Sequence, residues 1–268
     1  MNTLKLETEH DGAVERLTLN RPDKLNALNR ETVDELRDYF RGLADRHDCR
    51  VVVLQAEGRA FCAGLDLAPD GKKRGATGGT SIHEGLRWQR RIAEIYMAMR
   101  YCPQPIIALV NGAACGGGFS LALAADIRIA SESCRMNAAY IRIGLGGCDM
   151  ASSYYLPRLV GASVASELIL TGKFIDAQRA LAVGLVSKVV AEEDLRAAAD
   201  EDIEYMLTTS PLGLRLSKEA LRLNIDAPSL EHAIALEDRQ QILTANTEDA
   251  KEAGAAFFEK RRPTFQDR

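Results

Sequence analysis

Two glycine-bearing turns are where this sequence brings backbone N–H groups, rather than side chains, to bear on chemistry. The first, Ala60-Phe-Cys-Ala-Gly-Leu-Asp-Leu67, has an Ala-Gly pair that lets backbone approach a ligand closely. The second, Val110-Asn-Gly-Ala-Ala-Cys-Gly-Gly-Gly-Phe-Ser-Leu121, sets three consecutive glycines at the start of an apolar, alanine-rich helix ending near Asp126. Such a start leaves N–H groups unobstructed at the positive end of a helix dipole. Both turns follow apolar runs of the buried-strand kind, Arg50 to Ala56 and Pro105 to Val110. If the two strands lie side by side, amides from both turns converge on one oxygen and act as an oxyanion hole. The plainer reading of a glycine run is close packing of a helix on a strand. Neither a Walker loop nor a dinucleotide fingerprint fits, because no Gly-Lys-Ser/Thr follows the run and G-x-G-x-x-G does not occur there.

The elements that must position these turns follow from periodicity. The N-terminal stretch reads as a short strand and a turn, and Val14 to Leu19 as a strand broken by Asn20-Arg-Pro-Asp23. Val33, Leu36, Phe40 and Leu43 recur at helical spacing after Asn29, a fitting N-cap, with Glu31 in the first turn. Pro69 to Ser81, rich in Gly, Lys and Thr, reads as a loop, and a helix from about residue 83 to 100 follows it. Asp126 to Ala130 is a further strand. Past Gly184-Leu-Val-Ser-Lys-Val-Val190 the pattern turns helical, at about 193–209, 211–224, 230–245 and 247–259. The alternation of strands and helices followed by helices alone implies an α/β core over 1–190 and a helical region over 191–268.

Composition narrows the function classes. The 268 residues are 46% hydrophobic and 27% charged, ordinary for a globular chain long enough to bury a full core. A net charge of -4 argues against a basic nucleic-acid groove. Six cysteines without a C-x-x-C pair predict neither a zinc site nor a disulfide framework, and point to a reducing cytoplasm. No apolar run is long enough to cross a bilayer, and no signal peptide is evident. The four histidines, His10, His47, His83 and His232, fall outside the chemistry-bearing turns.

Asn20-Arg-Pro-Asp-Lys-Leu-Asn-Ala-Leu28, the Ala-Gly-x-Asp-Leu turn and Asn-Gly-x-x-x-Gly-Gly-Gly occur in the order found in the crotonase (enoyl-CoA hydratase/isomerase) superfamily, which the sequence resembles. Thr171-Gly-Lys-Phe-Ile-Asp-Ala177, Gly184-Leu-Val186 and Phe258-Glu-Lys-Arg-Arg-Pro-Thr-Phe265 extend the resemblance over nearly the whole chain. It implies a spiral of ββα units, a C-terminal helical region used in assembly and in covering the active site, and a homotrimer or dimer of trimers. It also implies an acyl-CoA thioester as substrate, with no cofactor beyond the coenzyme A the substrate carries and no metal. By position the family's two oxyanion amides fall on Leu65 and Gly117, while Lys24, Ala27, Ala63, Asp66, Leu67 and Ala68 match segments that line the CoA end. Polarising the thioester carbonyl acidifies its α-carbon and stabilises the enolate formed by proton removal or by addition of water. Loss of one such preorganised donor typically costs about 3 kcal/mol in the transition state.

The sequence departs from the family pattern in its proton-handling groups. Hydratases of this family carry one glutamate just after the glycine run and another further along; here those positions hold Ser120 and Tyr140. Serine is no carboxylate base, and tyrosine, with a reference pKa of about 10, is a poor one. Tyr140 is read mainly as a packed ring with a hydrogen-bonded hydroxyl, and Ser120 as a helix-start residue. Asp149, in Gly144-Leu-Gly-Gly-Cys-Asp-Met-Ala-Ser-Ser-Tyr154, lies where dienoyl-CoA isomerases of the family place a catalytic aspartate, with a one-residue difference in spacing. It is either a general acid or base, or the N-cap of a helix starting at Met150. Glu84 and Arg87 on the helix after the loop are further candidates for the acyl pocket, or simply a solvated face. The expected activity is hydration of an enoyl-CoA. The alternatives are double-bond isomerisation through Asp149, or a homologue that binds acyl-CoA without turnover.

Overall fold

The sheet begins as a hairpin. β1 (Leu4–Glu9) and β2 (Val14–Leu19) pair antiparallel from Leu4 opposite Leu19 to Glu9 opposite Val14. The computed structural model describes residues 1–67 and 81–268. The loop expected over 69–81 therefore lies, but for Ser81, outside the described residues. Next come α1 (Arg30–Gly42), β3 (Val51–Ala56), α2 (Ile82–Tyr101), β4 (Ile106–Val110), β5 (Ala113–Cys115), α3 (Gly117–Ala124), β6 (Ile127–Ser131) and β7 (Arg135–Asn137). The chain continues through α4 (Ser152–Thr171), β8 (Ile175–Asp176), α5 (Ala177–Ala182) and β9 (Lys188–Val190). It closes with α6 (Leu195–Leu207), α7 (Pro211–Asn224), α8 (Leu230–Ala245) and α9 (Glu248–Glu259).

The helix starts are chemical. Asn29 accepts the Thr32 N–H at 2.8 Å, as its N-cap reading anticipated, and Ser81 accepts that of Glu84 at 3.2 Å. Asp176, Ser210, Ser229 and Thr247 cap α5, α7, α8 and α9 in the same way.

A large sheet in the order β1-β2-β3-β4-β6-β9 stands beside a small one in the order β5-β7-β8. The chain passes from β4 to β5 to α3, then from β6 to β7 to α4, laying one strand in each sheet before each helix. This is the ββα spiral. β3 and β4 are neighbours in parallel register, Val52 opposite Ile106, so the two chemistry-bearing turns leave the same edge of the sheet side by side. The small strands escape periodicity because two or three residues are too few to show alternation.

Both faces of the parallel strands are covered, which is why Val51 to Leu54 read as one apolar run. Val52, Leu54, Ile106 and Ala108 pack with α1, α2 and α3 on one side. Their alternating neighbours Val51, Val53, Ile107 and Leu109 pack on the other against Leu195, Ala199, Ile203 and Leu207 of α6. Thus α6 completes the core, while α7 to α9 run outside it and leave Leu221, Leu230, Phe257 and Phe258 exposed.

Arg128 on β6 ties the far end of α3 in place. Buried, it donates from Nε to the Leu185 carbonyl at 2.7 Å and from Nη1 to that of Ala125 at 2.5 Å. Burial pulls its guanidinium down to about 10, still charged near neutrality. Arg128→Leu would strand these carbonyls and is expected to cost about 3 kcal/mol or more. A urea-unfolding midpoint equal to that of the parent protein would remove Arg128 from this role.

Candidate active site

The segment from Asn20 to Leu28 is held by a buried amide. Asn26 donates to the carbonyls of Glu57 and Ala60, both at 2.8 Å, and its Oδ1 accepts the Arg21 N–H at 2.8 Å. To do so, Leu25 and Asn26 adopt left-handed φ angles of 50° and 54°, a conformation costly for leucine and tolerated by asparagine. The segment then zips onto the first turn: Ala63 N–H to Leu25 carbonyl at 3.0 Å, Leu28 to Gly64 at 2.7 Å, Asp66 to Leu28 at 3.0 Å. Arg21 bridges the two strands of this zip, reaching Asp66 Oδ2 at 3.1 Å and the Ala27 carbonyl. Lys24, Ala27, Ala63, Asp66 and Leu67 thus lie along one double-stranded edge, with Lys24, Ala63 and Leu67 exposed. Ala68 lies outside the described residues.

Across this edge the glycine run approaches. Cys62 accepts from Cys115 at 2.9 Å and donates to the Ala113 carbonyl at 3.1 Å, stitching the first turn to β5. Gly64, at φ +96°, sits so close that a Cβ there would lie 2.9 Å from the Cys115 oxygen and 3.5 Å from the Gly117 nitrogen. The turns that carry the Leu65 and Gly117 amides therefore meet, and among the described residues neither amide donates to a protein acceptor. Gly117 is the first residue of α3, so its N–H also sits at the positive end of that helix. A negatively charged oxygen suits such a pair.

The run divides its labour. A Cβ on Gly118 would stand 2.2 Å from the Cys62 oxygen, so this glycine serves the plain close packing of helix on strand. A Cβ on Gly117 would meet only side chains, Met150 Sδ at 3.1 Å, Tyr96 Oη at 3.3 Å and Leu28 Cδ1 at 3.4 Å.

Behind the amides lies a set of neutral hydroxyls. Ser120 Oγ and Tyr140 Oη are 2.5 Å apart, and Tyr140 donates to the Gly116 carbonyl at 2.7 Å. With its single proton so placed, Tyr140 receives the Ser120 hydroxyl proton, and the Ser152 hydroxyl acts on the same phenol. Tyr96 from α2 donates toward the Gly117 carbonyl at 3.1 Å. Burial pushes both phenols above their ordinary value, so neither is a base near neutrality.

Asp149 is the acidic group that acts on both Tyr96 and Tyr140. Its helix-cap reading is overturned: α4 starts at Ser152, and its N-cap is Ala151, which offers no side-chain acceptor. Instead the Met150 N–H donates back to Asp149 Oδ1 at 2.7 Å, and Met150 and Ala151 take left-handed φ angles of 47° and 63°. Two such residues in succession carry strain of about 1–3 kcal/mol each, a cost concentrated at functional sites. Gln89 of α2 donates to the same oxygen, and the Ser152 hydroxyl accepts the Asp149 N–H at 3.2 Å. Half-buried, Asp149 is held above the ordinary carboxylate value, because loss of water outweighs the two donors.

Other candidates fall elsewhere. Glu84 and Arg87 are exposed on α2, and Trp88 packs on the core beneath the Arg30 guanidinium at 4.4 Å. His10 and His47 pair at the surface with Glu204 and Asp267. Sequence reasoning missed Gln89, Tyr96 and Met150. The first two share one face of α2, seven residues apart, a spacing that could have paired them but says nothing of what they face.

Comparison with known proteins agrees over the whole chain. The family profile described as enoyl-CoA hydratase/isomerase matches residues 9–268. A Mycobacterium tuberculosis (strain H37Rv) protein named a probable enoyl-CoA hydratase is 38% identical over 258 residues, covering 95% of this chain and 90% of its own. The (E)-benzylidenesuccinyl-CoA hydratase of Thauera aromatica is 34% identical, covering 93% and 94%. The crystal structure of an enoyl-CoA hydratase from Bacillus anthracis superposes with a TM-score of 0.91 at 32% identity, over 99% of this chain and 100% of that one.

The two glycines separate packing from site. Gly118→Ala drives a methyl into backbone and is expected to cost about 2 kcal/mol or more. Gly117→Ala meets only side-chain ends that can move, and should cost less than half as much. Equal losses in thermal unfolding would show that the whole run serves packing.

Proposed function

From a chain that belongs to the enoyl-CoA hydratase/isomerase family, we propose an enzyme that binds an enoyl-CoA thioester with its carbonyl oxygen on the Leu65 and Gly117 amides and moves the proton through Asp149. The observation that carries this reading is the place of Asp149: a half-buried carboxylate of raised proton affinity, beside the turn that bears the free Gly117 amide. Lys24, Ala27, Ala63, Asp66 and Leu67 supply the CoA edge. The Asp66 carboxylate is engaged by Arg21 and its N–H by the Leu28 carbonyl, which holds this edge in shape.

The geometry supports hydration as follows. Charge developing on the thioester oxygen is taken up by two fixed donors, as the water oxygen bonds to the β-carbon and Asp149 accepts the proton that water loses. Asp149 then delivers that proton to the α-carbon, the enolate collapses to the thioester, and the carboxylate is restored. One carboxylate suffices for both transfers. Double-bond migration is the second reading, favoured by the neutral Ser120–Tyr140 pair, which stands where the family's hydratases hold their carboxylates. In that case Asp149 takes a proton from the γ-carbon and returns it at the α-carbon.

A homotrimer or dimer of trimers is part of the same proposal, supported by the apolar side chains left exposed on α7, α8 and α9. Six free thiols support a cytoplasmic setting, and among the described residues no helix is long and apolar enough to cross a membrane. Sedimentation of the purified protein as a monomer at micromolar concentration would refute the assembly.

Asp149→Asn keeps the shape and removes proton exchange. Turnover of a panel of enoyl-CoAs, with water addition and double-bond migration followed separately, should fall about 10²-fold or more with the fold intact. Because the base must be ionised, kcat/KM should fall as pH drops through the Asp149 pKa, at a midpoint above the ordinary carboxylate value. Undiminished turnover in a folded Asp149→Asn protein would refute the assignment.

A further inference from the structure

The two oxygens of Asp149 are not equivalent. Gln89 Nε2 and the Met150 N–H both donate to Oδ1, and among the described residues no donor reaches Oδ2. The two donors come from separate elements, a helix and a strained turn. α2 presents Gln89 to Asp149 and, two turns on, Tyr96 to the Gly117 carbonyl and Met150 Sδ, the latter at 3.1 Å. Met150 and Ala151, which follow Asp149 in the chain, are both left-handed.

Resting on the assignment of Asp149 as the proton carrier, we infer that Gln89 is its positioning residue: with Oδ1 occupied by the Gln89 amide and the Met150 N–H, Oδ2 is the oxygen that takes and returns the proton. The amide is suited to the task. It donates without bringing a charge, so it fixes the carboxyl plane and favours the ionised form without holding it there as an arginine would. The titratable groups facing Asp149 are Tyr96 on α2 and Tyr140 before α4, both held neutral by burial. Ser152 contributes a neutral hydroxyl, which accepts the Asp149 N–H and also acts on Tyr140. The ionisation of Asp149 is therefore sensitive to position 89.

The test follows the Asp149 carboxyl itself by 13C NMR titration of the full-length protein, its signal assigned by difference with Asp149→Asn, alongside pH profiles of kcat and KM. Gln89→Met keeps the length and removes the donor. The Asp149 midpoint should rise by about one pH unit, and kcat should fall about 10-fold with KM unchanged. Gln89→Glu, nearly the same shape, sets a like charge against Asp149 and should move the midpoint further up. Midpoints and kcat unchanged in both variants, while Asp149→Asn abolishes turnover, would overturn the role of Gln89 alone. Turnover retained in Asp149→Asn would overturn the assignment of Asp149, and this inference with it.

Discussion

The close approach of two stretches of backbone is the constraint on which the rest depends. Gly64 can lie against the Cys115 carbonyl and Gly118 against that of Cys62 only because neither carries a side chain. Backbone this close must satisfy its own polar groups. The Cys62–Cys115 and Cys62–Ala113 bonds do so and, among the described residues, leave the Leu65 and Gly117 amides over. Adjacent parallel strands β3 and β4 deliver both turns to one end of the sheet, and a core closed by α1 to α3 on one face and α6 on the other keeps them there. A site built of main chain inherits the rigidity of the sheet, which is what preorganised donors require.

Proton handling is arranged differently. The Ser120–Tyr140 pair fills the space behind the glycine run with neutral groups, so no buried charge has to be compensated there. The carboxylate comes instead from the turn before α4, where it is only half buried and retains two donors. That placement costs backbone strain at Met150 and Ala151, met by the packing of Met150 against Tyr96 and Gly117. In the proposed reaction backbone handles the oxygen, and one side chain handles the proton.

Much of this was legible in the sequence, because the signals were local. Apolar runs bounded by turn residues marked β3 and β4, the Asn29 cap marked the start of α1, and the glycine turns marked the place where backbone is exposed. The motif order was enough to identify the family. Residues 20–28 and 63–67 were legible as a pair of segments through motif order alone. What joins them, the buried amide of Asn26 and the reach of Arg21, is a matter of contact.

The residues at 120 and 140 were determined by the chain itself: a serine and a tyrosine where the family holds carboxylates. Only the tertiary structure decided that they bond to each other, that Gly117 and Gly118 meet different surroundings, and that Asp149 bonds to Gln89 instead of capping α4. The physical reason is range. Caps, periodicity and turn chemistry act over a few neighbouring residues, whereas Gln89 meets Asp149 across a separation of 60 positions, through the docking of α2 beside the turn before α4. No local pattern encodes such a contact, and on it depends which oxygen of the carboxylate carries the Gln89 bond.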